Sequence, residues 1–564
     1  MVSAPNTRAE RPGRLSQIAP GVFYPALIIL SLVVVLSIAF PDKTGEVLAS
    51  AQDNVIGGIG WYYTLTVTGF VVFALWMGIG RFGDIRLGKD DEVPEFSLKA
   101  WFAMLFAAGM GIGLVFWGAA EPLTFFTDPK PGVAGTEAEL AQSAMSQVFL
   151  HWGLHAWAIY VVVGLAMAYS IHRKGNPVSI RWALEPLLGD RVRGRLGDVI
   201  DVVAIVGTVA GVATSLGLGV SQISAGMVHL GLIDSASKGF MVALIVAISA
   251  IAIVSVVSGV GKGIKWLSNA NLTLAAVFMV LILVLGPTLF LLRDFVQNLG
   301  GYAAEIVPLS FNTSALAGEA GIEWQGFWTT FYWGWWVSWA PFVGIFIARI
   351  SRGRTIREFV AGVLLVPTLV SAMWFTILGG TAILRQMQDG DLLNDDGSIT
   401  SENVLFDVLE GLPAGSLLSG LAILLVTIFF ITSSDSGSLV VDMLASGGNL
   451  EPPTWSRVMW ASIEGLVAIG LLLAGGLAAL QTGAILTAVP FSAIMIAMAF
   501  ATYKALKAEH NEIERLNRMA RQKVLRAEVG EHVTEQLVEN FDDHFGEKVD
   551  DRISQAIEEN ESSS

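Results

Sequence analysis

The chain has 564 residues, of which 53% are hydrophobic and 15% are charged. Apolar runs of about 18 residues or more recur from end to end, which excludes a soluble enzyme and indicates an all-α polytopic membrane protein. Cysteine is absent, so disulfides, thiolate metal sites and cysteine nucleophiles are excluded, and a net charge of −15 gives no support for a nucleic-acid partner.

Twelve apolar segments are long enough to cross a membrane. They begin near Phe23, Trp61, Trp101, Phe149, Val199, Phe240, Leu272, Trp324, Val360, Leu417, Val458 and Ala484. With this count, the connections on the outer side hold only five of the 34 lysines and arginines. Because basic connections stay in the cytoplasm, we expect both termini to be cytoplasmic. The predicted organisation is an N-terminal tail (1–21), a membrane domain (22–505) and a partly helical C-terminal tail (506–564).

The third segment contains the sequence FAAGMGIGLVFWGAAEPL at residues 106–123. Gly109, Gly111 and Gly113 leave little side-chain packing to hold a helix, so the segment can unwind where it faces a cavity or an ion site. Gly109 and Gly113 also form a GxxxG pattern, and close helix packing is therefore the alternative interpretation.

The fourth segment, FLHWGLHAWAIY at residues 149–160, offers an aromatic wall. On a continuous helix Trp152, Trp157 and Tyr160 fall within about 140° of one another. His151 and His155 have metal-ligand spacing, but no cysteine or carboxylate lies nearby in sequence, so hydrogen bonds between helices are favoured over a metal site. In the fifth segment, hydroxyls such as those of Thr208 and Ser215 are either contacts between helices or ion ligands.

The eighth segment is the most aromatic part of the chain. Residues 331–354 read FYWGWWVSWAPFVGIFIARISRGR and end in a cluster of arginines. On a helix Tyr332, Trp336 and Trp339 share one face, and Trp335 lies about 100° from Trp336. An indole face can hold a desolvated cation, above all a quaternary ammonium, which has no N–H to donate. Core packing or an aromatic belt at the membrane interface is the alternative.

The tenth segment carries consecutive hydroxyls and a carboxylate in TIFFITSSDSGSLVVD, residues 427–442. Thr432 and Ser433 offer hard oxygen donors for a desolvated monovalent cation, and Asp435 is an intramembrane carboxylate. The alternative is a polar helix end packed against a neighbour. Glu464 in the eleventh segment is also intramembrane, and the sequence gives it no role. Residues 511–559 have a helical, apolar-every-four pattern, which fits either a docking helix or a solvated tail.

Read together, these segments resemble the betaine/choline/carnitine transporter family, and most closely its glycine betaine branch. The resemblance covers about residues 23–505. It implies twelve helices, of which the last ten form two inverted five-helix repeats in a leucine-transporter-like fold, and a homotrimer among the lipids of the bacterial cytoplasmic membrane.

The resemblance also implies a substrate site. Trp152, Trp157, Tyr160 and Trp336 form an aromatic box for the trimethylammonium group, and Trp335 and Trp339 line the cytoplasmic side of the path. The unwound backbone around Met110, Gly111 and Gly113 meets the carboxylate. Choline carriers of the family tend to have an aspartate at the position of Gly113, so the glycine favours a zwitterion.

For sodium, the resemblance implies one ion held by the carbonyls of Ala107, Met110 and Phe429 and the hydroxyls of Thr432 and Ser433. A second ion in sodium-coupled relatives uses two threonines one turn apart, near Phe342. Thr208 matches the first threonine, but Val212 stands at the second and has no side-chain oxygen.

The resemblance therefore predicts a secondary transporter that imports glycine betaine, a compatible solute used in osmoprotection, with sodium as the coupling ion and no cofactor. The alternatives are proton-coupled or exchange transport of choline, carnitine or ectoine, and a betaine-binding membrane osmosensor. No phosphate-binding loop is present in the sequence to support ATP coupling, and no set of nucleophile, base and orienting group supports an enzyme. The family's regulated members have a strongly basic C-terminal helix, whereas this tail is acidic.

Overall fold

The computed structural model describes residues 18–109, 111–257 and 261–563, and there the regular structure is helical apart from one isolated bridge between Arg86 and Thr355. The first nine α-helices are α1 Pro20–Ala39, α2 Pro41–Ile79, α3 Leu98–Gly109, α4 Ile112–Thr127, α5 Glu137–Trp152, α6 Leu154–Ala168, α7 Ile180–Ala183, α8 Glu185–Leu188 and α9 Arg195–His229. The others are α10 Lys238–Val257, α11 Gly261–Leu285, α12 Thr288–Ser310, α13 Gly318–Gln325, α14 Phe331–Ile350, α15 Ile356–Gln388, α16 Ser401–Glu410, α17 Gly415–Ala445 and α18 Thr454–Glu561.

Contacts divide the chain into two units, residues 1–504 and 505–564. Within the bounds of α18 the helical dihedrals are interrupted at Gly475 and Gly476, and Gly476 has a φ of 63°. In the second unit Leu506 is buried, whereas the described side chains from residue 514 onward are exposed, including the apolar residues spaced four apart. The rings of Phe541 and Phe545 stack with their centres 4.5 Å apart.

Eight helical segments of the described residues are long and apolar enough to cross a membrane. They are α1, α2, α5 with α6 and the π-helical turn Tyr169–Arg173, α9, α10, α15, α17 and α18. A ninth candidate is the pair α11 and α12, whose axes are bent by 112° at the break between them. The first unit is therefore a helical membrane domain with several irregular spans.

The third predicted span is broken where its glycines are. Helix α3 ends at Gly109 and α4 begins at Ile112, and Gly111 between them has an extended conformation with φ −157° and ψ 179°. The unwinding predicted from the glycines is confirmed for this residue. Met110, in the same break, lies outside the described residues.

The fourth span is also broken, at Gly153, and the prediction of one continuous helix there was wrong. Helix α5 ends at Trp152 and α6 begins at Leu154, with Gly153 at φ −99° and ψ −132°. A side chain at this position would lie too close to the Phe149 carbonyl oxygen and 3.1 Å from the Tyr302 hydroxyl. Trp152 therefore belongs to a different helix from Trp157 and Tyr160.

Glycines set the close contacts between the helices that enclose the candidate site. A Cβ at Gly344 of α14 would lie 2.5 Å from Val163 of α6, and one at Gly118 of α4 would lie 2.6 Å from Leu378 of α15. Small residues allow helix backbones to approach this closely, which strengthens van der Waals packing in a membrane. These contacts bring α4, α6, α14 and α15 around one cavity.

Candidate functional site

A cavity lies where the broken third and fourth spans meet α9, α14 and α15. It encloses about 500 Å³ not filled by protein atoms, including the part open to solvent. Its lining consists of Gly111, Ile112, Gly113, Leu114, Trp152, Ala156, Trp157, Tyr160, Ser215, Trp335, Trp336, Trp339 and Ser371. All of the described residues that were predicted to bind substrate are in this set. Ser215 and Ser371 line it as well, and the sequence analysis did not connect them with the substrate.

Trp336 is the centre of the aromatic wall. Its ring centre lies 4.8 Å from that of Trp152, 6.4 Å from that of Tyr160 and 4.6 Å from that of Trp335, on which it stacks. The rings of Trp157 and Tyr160 meet edge to face at 5.4 Å. Several indole and phenol faces therefore converge on one space, an arrangement that attracts a cation lacking hydrogen-bond donors.

Gly113 allows two of these rings to approach the backbone of α4. A Cβ at this position would overlap Trp335 Cη2 and lie 3.0 Å from Trp152 Cη2. At Gly111, by contrast, a Cβ would meet no atom within 4 Å. The two glycines thus differ: Gly113 makes room for the aromatic wall, whereas Gly111 is an extended residue of the break with open space beside it.

The start of α4 is the electropositive end of the cavity. Gly111 is the N-cap, no side chain caps the helix there, and the residues from Gly111 to Leu114 line the cavity. The first amide groups of a helix have no partner within it and carry the positive end of its dipole. An anionic group can therefore bind at this end while a cationic group faces the aromatic rings.

Glu121 holds the aromatic wall in place, a role that the sequence analysis missed. This carboxylate is fully buried and accepts hydrogen bonds from Trp152 Nε1 at 2.7 Å and from the Tyr332 hydroxyl at 2.6 Å, both at Oε2. His151 Nδ1 lies 2.7 Å from Oε1, and the backbone oxygen of His151 accepts a bond from Trp336 Nε1 at 2.9 Å. Both tryptophans are therefore oriented through this network.

A signal for Glu121 was present in the sequence. It is a carboxylate within an apolar segment, and such residues are functional candidates, as was argued for Asp435. Its partners are 30, 31 and 211 positions away along the chain, so their proximity could not be read from local spacing.

The two histidines of the fourth span make hydrogen bonds to other segments, as expected. His151 Nε2 lies 3.0 Å from Thr329 Oγ1, and His155 Nε2 lies 2.9 Å from Ser310 Oγ. Within the described ranges, no group of three or more histidines, aspartates and glutamates is arranged to hold a metal ion. Both histidines therefore make hydrogen bonds to other segments, His155 through one ring nitrogen only.

The residues predicted to bind the first sodium lie on two helices. Ala107 is in the last turn of α3, whereas Phe429, Thr432 and Ser433 are in the middle of α17. Thr432 Oγ1 donates to the Ile428 carbonyl at 2.9 Å and accepts from Asn271 Nδ2 at 3.5 Å, so one of its two lone pairs is left to face a cation. Because Met110 lies outside the described residues, the complete ligand set stays a prediction.

The residues of the second sodium site, at which Val212 replaces a threonine, lie on helices that pack together. Gly211 of α9 contacts the ring of Trp339 in α14, and that ring meets Phe342 edge to face at 5.4 Å. Thr208 Oγ1 is buried and donates to the Ala204 carbonyl at 2.7 Å. Val212, one turn further, is fully buried and offers no oxygen.

Comparison with known proteins matches the membrane domain to a single transporter family. Residues 21–511 match the family model described as BCCT, betaine/carnitine/choline family transporter. The chain is 53% identical over 497 residues to an uncharacterized transporter of Mycobacterium tuberculosis, covering 87% of this chain and 83% of the relative. It is 44% identical over 498 residues to the glycine betaine transporter OpuD of Bacillus subtilis, covering 88% and 96%. It is 41% identical over 487 residues to glycine betaine transporter 1 of Vibrio parahaemolyticus, covering 85% and 92%.

Proposed function

The chain belongs to the betaine/carnitine/choline transporter family, and we propose that it imports glycine betaine together with sodium across the bacterial cytoplasmic membrane. It is a membrane transporter and not an enzyme. The observation that carries the choice of substrate is the cavity itself, which joins converging aromatic rings to the N-terminal end of a broken helix. The names of the relatives in Bacillus subtilis and Vibrio parahaemolyticus support the same choice.

Glycine betaine has the two groups that this cavity complements. Its trimethylammonium group has no N–H, so contact with aromatic faces is the interaction that can hold it, and the rings around Trp336 supply those faces. Its carboxylate can accept hydrogen bonds from the amides at the start of α4. The described residues that line the cavity carry no charged side chain. A net-neutral zwitterion therefore fits better than choline, whose positive charge would have no counter-ion.

Twelve membrane helices remain the best interpretation of the fold. The third span is divided into α3 and α4, each shorter than 18 residues. Helix α14 is rich in tryptophan, which hydropathy scales rank as weakly polar. The break at Gly475 and Gly476 separates two apolar stretches of α18. These features explain why length and hydropathy do not mark the third and eighth predicted spans, and why they count the last two predicted spans as one. The two inverted repeats and the homotrimer follow from family membership and belong to the proposal.

We place both termini in the cytoplasm, because the basic residues then concentrate on that side. Transport would proceed by alternating access, with sodium bound by the carbonyls near the break in the third span and by Thr432 and Ser433. Sodium binding there would order the broken span and raise the affinity for betaine, and betaine would raise the affinity for sodium by the same factor.

The substrate assignment is tested by uptake and competition. The full-length protein is reconstituted in liposomes with an inward sodium gradient, and accumulation of labelled glycine betaine is measured with an excess of unlabelled betaine, choline, carnitine or ectoine outside. We expect betaine to compete most strongly and choline least. Stronger competition by choline or ectoine would reassign the substrate, and binding of betaine without accumulation would indicate an osmosensor.

A further inference from the structure

Glu464 of α18 is a fully buried carboxyl group for which the described residues provide no partner. Its side chain is 0% exposed, and neither oxygen is hydrogen-bonded to any group that the structure describes. Other buried acids of the first unit accept hydrogen bonds from side chains. Glu121 accepts from Trp152 and Tyr332, and Asp201 accepts from Ser179 and Arg181. Asp435 accepts from Arg457, and Asp442 accepts from Ser456. Glu464 therefore differs from them in making no hydrogen bond of normal geometry to a described residue.

The carboxyl lies where α18 meets α17 and α9. The buried hydroxyl of Ser434 in α17 faces this carboxyl but does not reach hydrogen-bond geometry with it. Among the described residues, this hydroxyl makes no other hydrogen bond. A Cβ at Gly437 would lie 3.3 Å from Glu464 Oε1 and 3.0 Å from a methyl group of Val212. The absence of a side chain at Gly437 thus lets α17 pack closely against the carboxyl and Val212. Glu464 and Ser434 are two oxygen-bearing side chains at this contact that lack hydrogen bonds of normal geometry.

The nearby charges do not compensate a negative charge on Glu464. Asp435 faces it from α17 and adds a second acid, and the guanidinium of Arg457 in α18 is engaged by Asp435 at 3.0 Å. Three other helices reach this part of α18. Val212 of α9 lies against the same glycine, Gly437, as Glu464 does, while Ser249 of α10 lies against Gly465 and Ser37 of α1 against Gly470. None of these three side chains carries a titratable group. A carboxylate at membrane depth is strongly unfavourable without a cation or donors.

We propose that Glu464 and Ser434 form a binding site for a monovalent cation, either a proton or sodium, that is loaded and released during transport. Ser434 directly follows Ser433, a predicted ligand of the first sodium, so a cation at Glu464 would act on the same stretch of α17. The site would supply a second coupling ion in a protein whose Val212 lacks the oxygen expected for one. The inference rests on the ion-coupled transport proposed above.

The site is tested without relying on transport by infrared difference spectroscopy of the full-length protein in lipid membranes. The carboxyl stretch of a buried protonated acid is followed as pH is raised at fixed sodium, and as sodium is raised at fixed pH, in the wild type and in Glu464→Gln. We expect a carboxyl band that changes in the wild type and is missing from the variant. A response to pH alone assigns a proton, and a response to sodium at fixed pH assigns sodium. Identical difference spectra in both proteins would overturn the proposal.

Transport then shows whether the cation is coupled. We expect the reversal potential of betaine uptake by Glu464→Gln to correspond to one fewer cation per betaine than in the wild type, and Ser434→Ala to keep the stoichiometry with a lower cation affinity. Thermal unfolding of each variant shows whether it is folded. An unchanged stoichiometry in a folded Glu464→Gln protein would exclude coupling through this carboxyl. A wild type that accumulates no betaine would instead refute the proposed function and leave the spectroscopic result to stand by itself.

Discussion

At the scale of single residues, Trp336 is the side chain on which the proposed binding mode depends most. Its ring contacts those of Trp152, Tyr160 and Trp335. Removing it takes away one face of the cage, and a desolvated cation–π contact contributes roughly 1 to 2 kcal/mol, or about a 5- to 30-fold change in affinity. We expect Trp336→Ala to weaken betaine binding by that factor, measured by isothermal titration. Trp61→Ala, which alters an exposed tryptophan, is the control. Equal affinities in the two variants would remove Trp336 from the site.

The two glycines at the break make a matched pair for a second prediction. A methyl group at Gly113 would overlap Trp335, whereas one at Gly111 would meet open space in a backbone conformation that any residue adopts. Gly113→Ala should therefore displace the ring of Trp335 and lower betaine affinity. An overpacking cost of about 1 to 3 kcal/mol that falls on the bound state corresponds to roughly a 5- to 150-fold loss. Gly111→Ala should bind betaine nearly as the wild type does. Binding titrations of both variants check this, and the reverse order of affinities would contradict the geometry.

Glu121 gives a third prediction at this scale. Its Oε2 accepts from Trp152 and Tyr332, and the amide of a glutamine could replace only part of that acceptor capacity. A hydrogen bond of this kind contributes about 0.5 to 1.5 kcal/mol net. We expect Glu121→Gln to lower both the unfolding temperature and betaine affinity, and Tyr332→Phe, which removes one donor, to have a smaller effect. Thermal unfolding and binding are measured in parallel. Full betaine affinity in Glu121→Gln would show that the network does not orient the box.

The same residue shows what the sequence could and could not provide. The aromatic side chains that line the cavity were all named from local patterns and the family resemblance. The hydrogen-bond network that holds these side chains was not predicted, because Glu121, His151 and Tyr332 lie on three separate helices. A contact of this kind depends on how helices pack, and single-sequence periodicity carries no information about it.

At the scale of elements, the two helix breaks differ in how far they could be foreseen. Three closely spaced glycines predicted the break between α3 and α4. A single glycine gave no such signal at Gly153, because an isolated glycine is tolerated in a helix. The need for glycine at position 153 comes from the folded structure. The space that a side chain would occupy is taken by the Phe149 carbonyl and bordered by the Tyr302 hydroxyl.

The connection between α4 and α5 is tied to α13 by a buried cation, and this gives a prediction of pH dependence. Lys130 Nζ donates to Gln325 Oε1 at 2.7 Å and lies 5.1 Å from the ring centre of Trp324. Burial lowers the pKa of Lys130 from 10.5 to about 8. Below pH 8 the lysine is charged in both folded and unfolded states. Between about pH 8 and 10.5 the unfolded chain binds more protons, so folding stability should rise with pH across that window.

We expect this rise, at most roughly 3 kcal/mol for a shift of this size, to be absent in Lys130→Met. The free energy of unfolding is measured against pH for the wild type, Lys130→Met and the exposed-lysine control Lys89→Met. A wild-type curve that is flat or falls over the window, or a rise that persists in Lys130→Met, would contradict the assignment of a buried charged lysine.

At the scale of the whole molecule, composition and hydropathy were sufficient for the class of protein and for most of its spans. They were less suited to the spans that form the site. Transport sites in membranes are built from interrupted helices and polar or aromatic residues, and these features weaken the apolar signal. The third span, divided into α3 and α4, and the tryptophan-rich α14 are examples. Two spans that length and hydropathy mark poorly, the divided third span and α14, therefore line the candidate cavity.

The central claim is that betaine is accumulated at the expense of a sodium gradient. The most direct measurement is uptake of labelled glycine betaine into proteoliposomes with a sodium gradient or a proton gradient imposed separately and the membrane potential clamped. We expect accumulation whenever the inward sodium gradient is present, and its loss in the variant with both Thr432→Ala and Ser433→Ala. Accumulation driven by the proton gradient without sodium, or sodium-driven uptake that persists unchanged in the double variant, would contradict this claim.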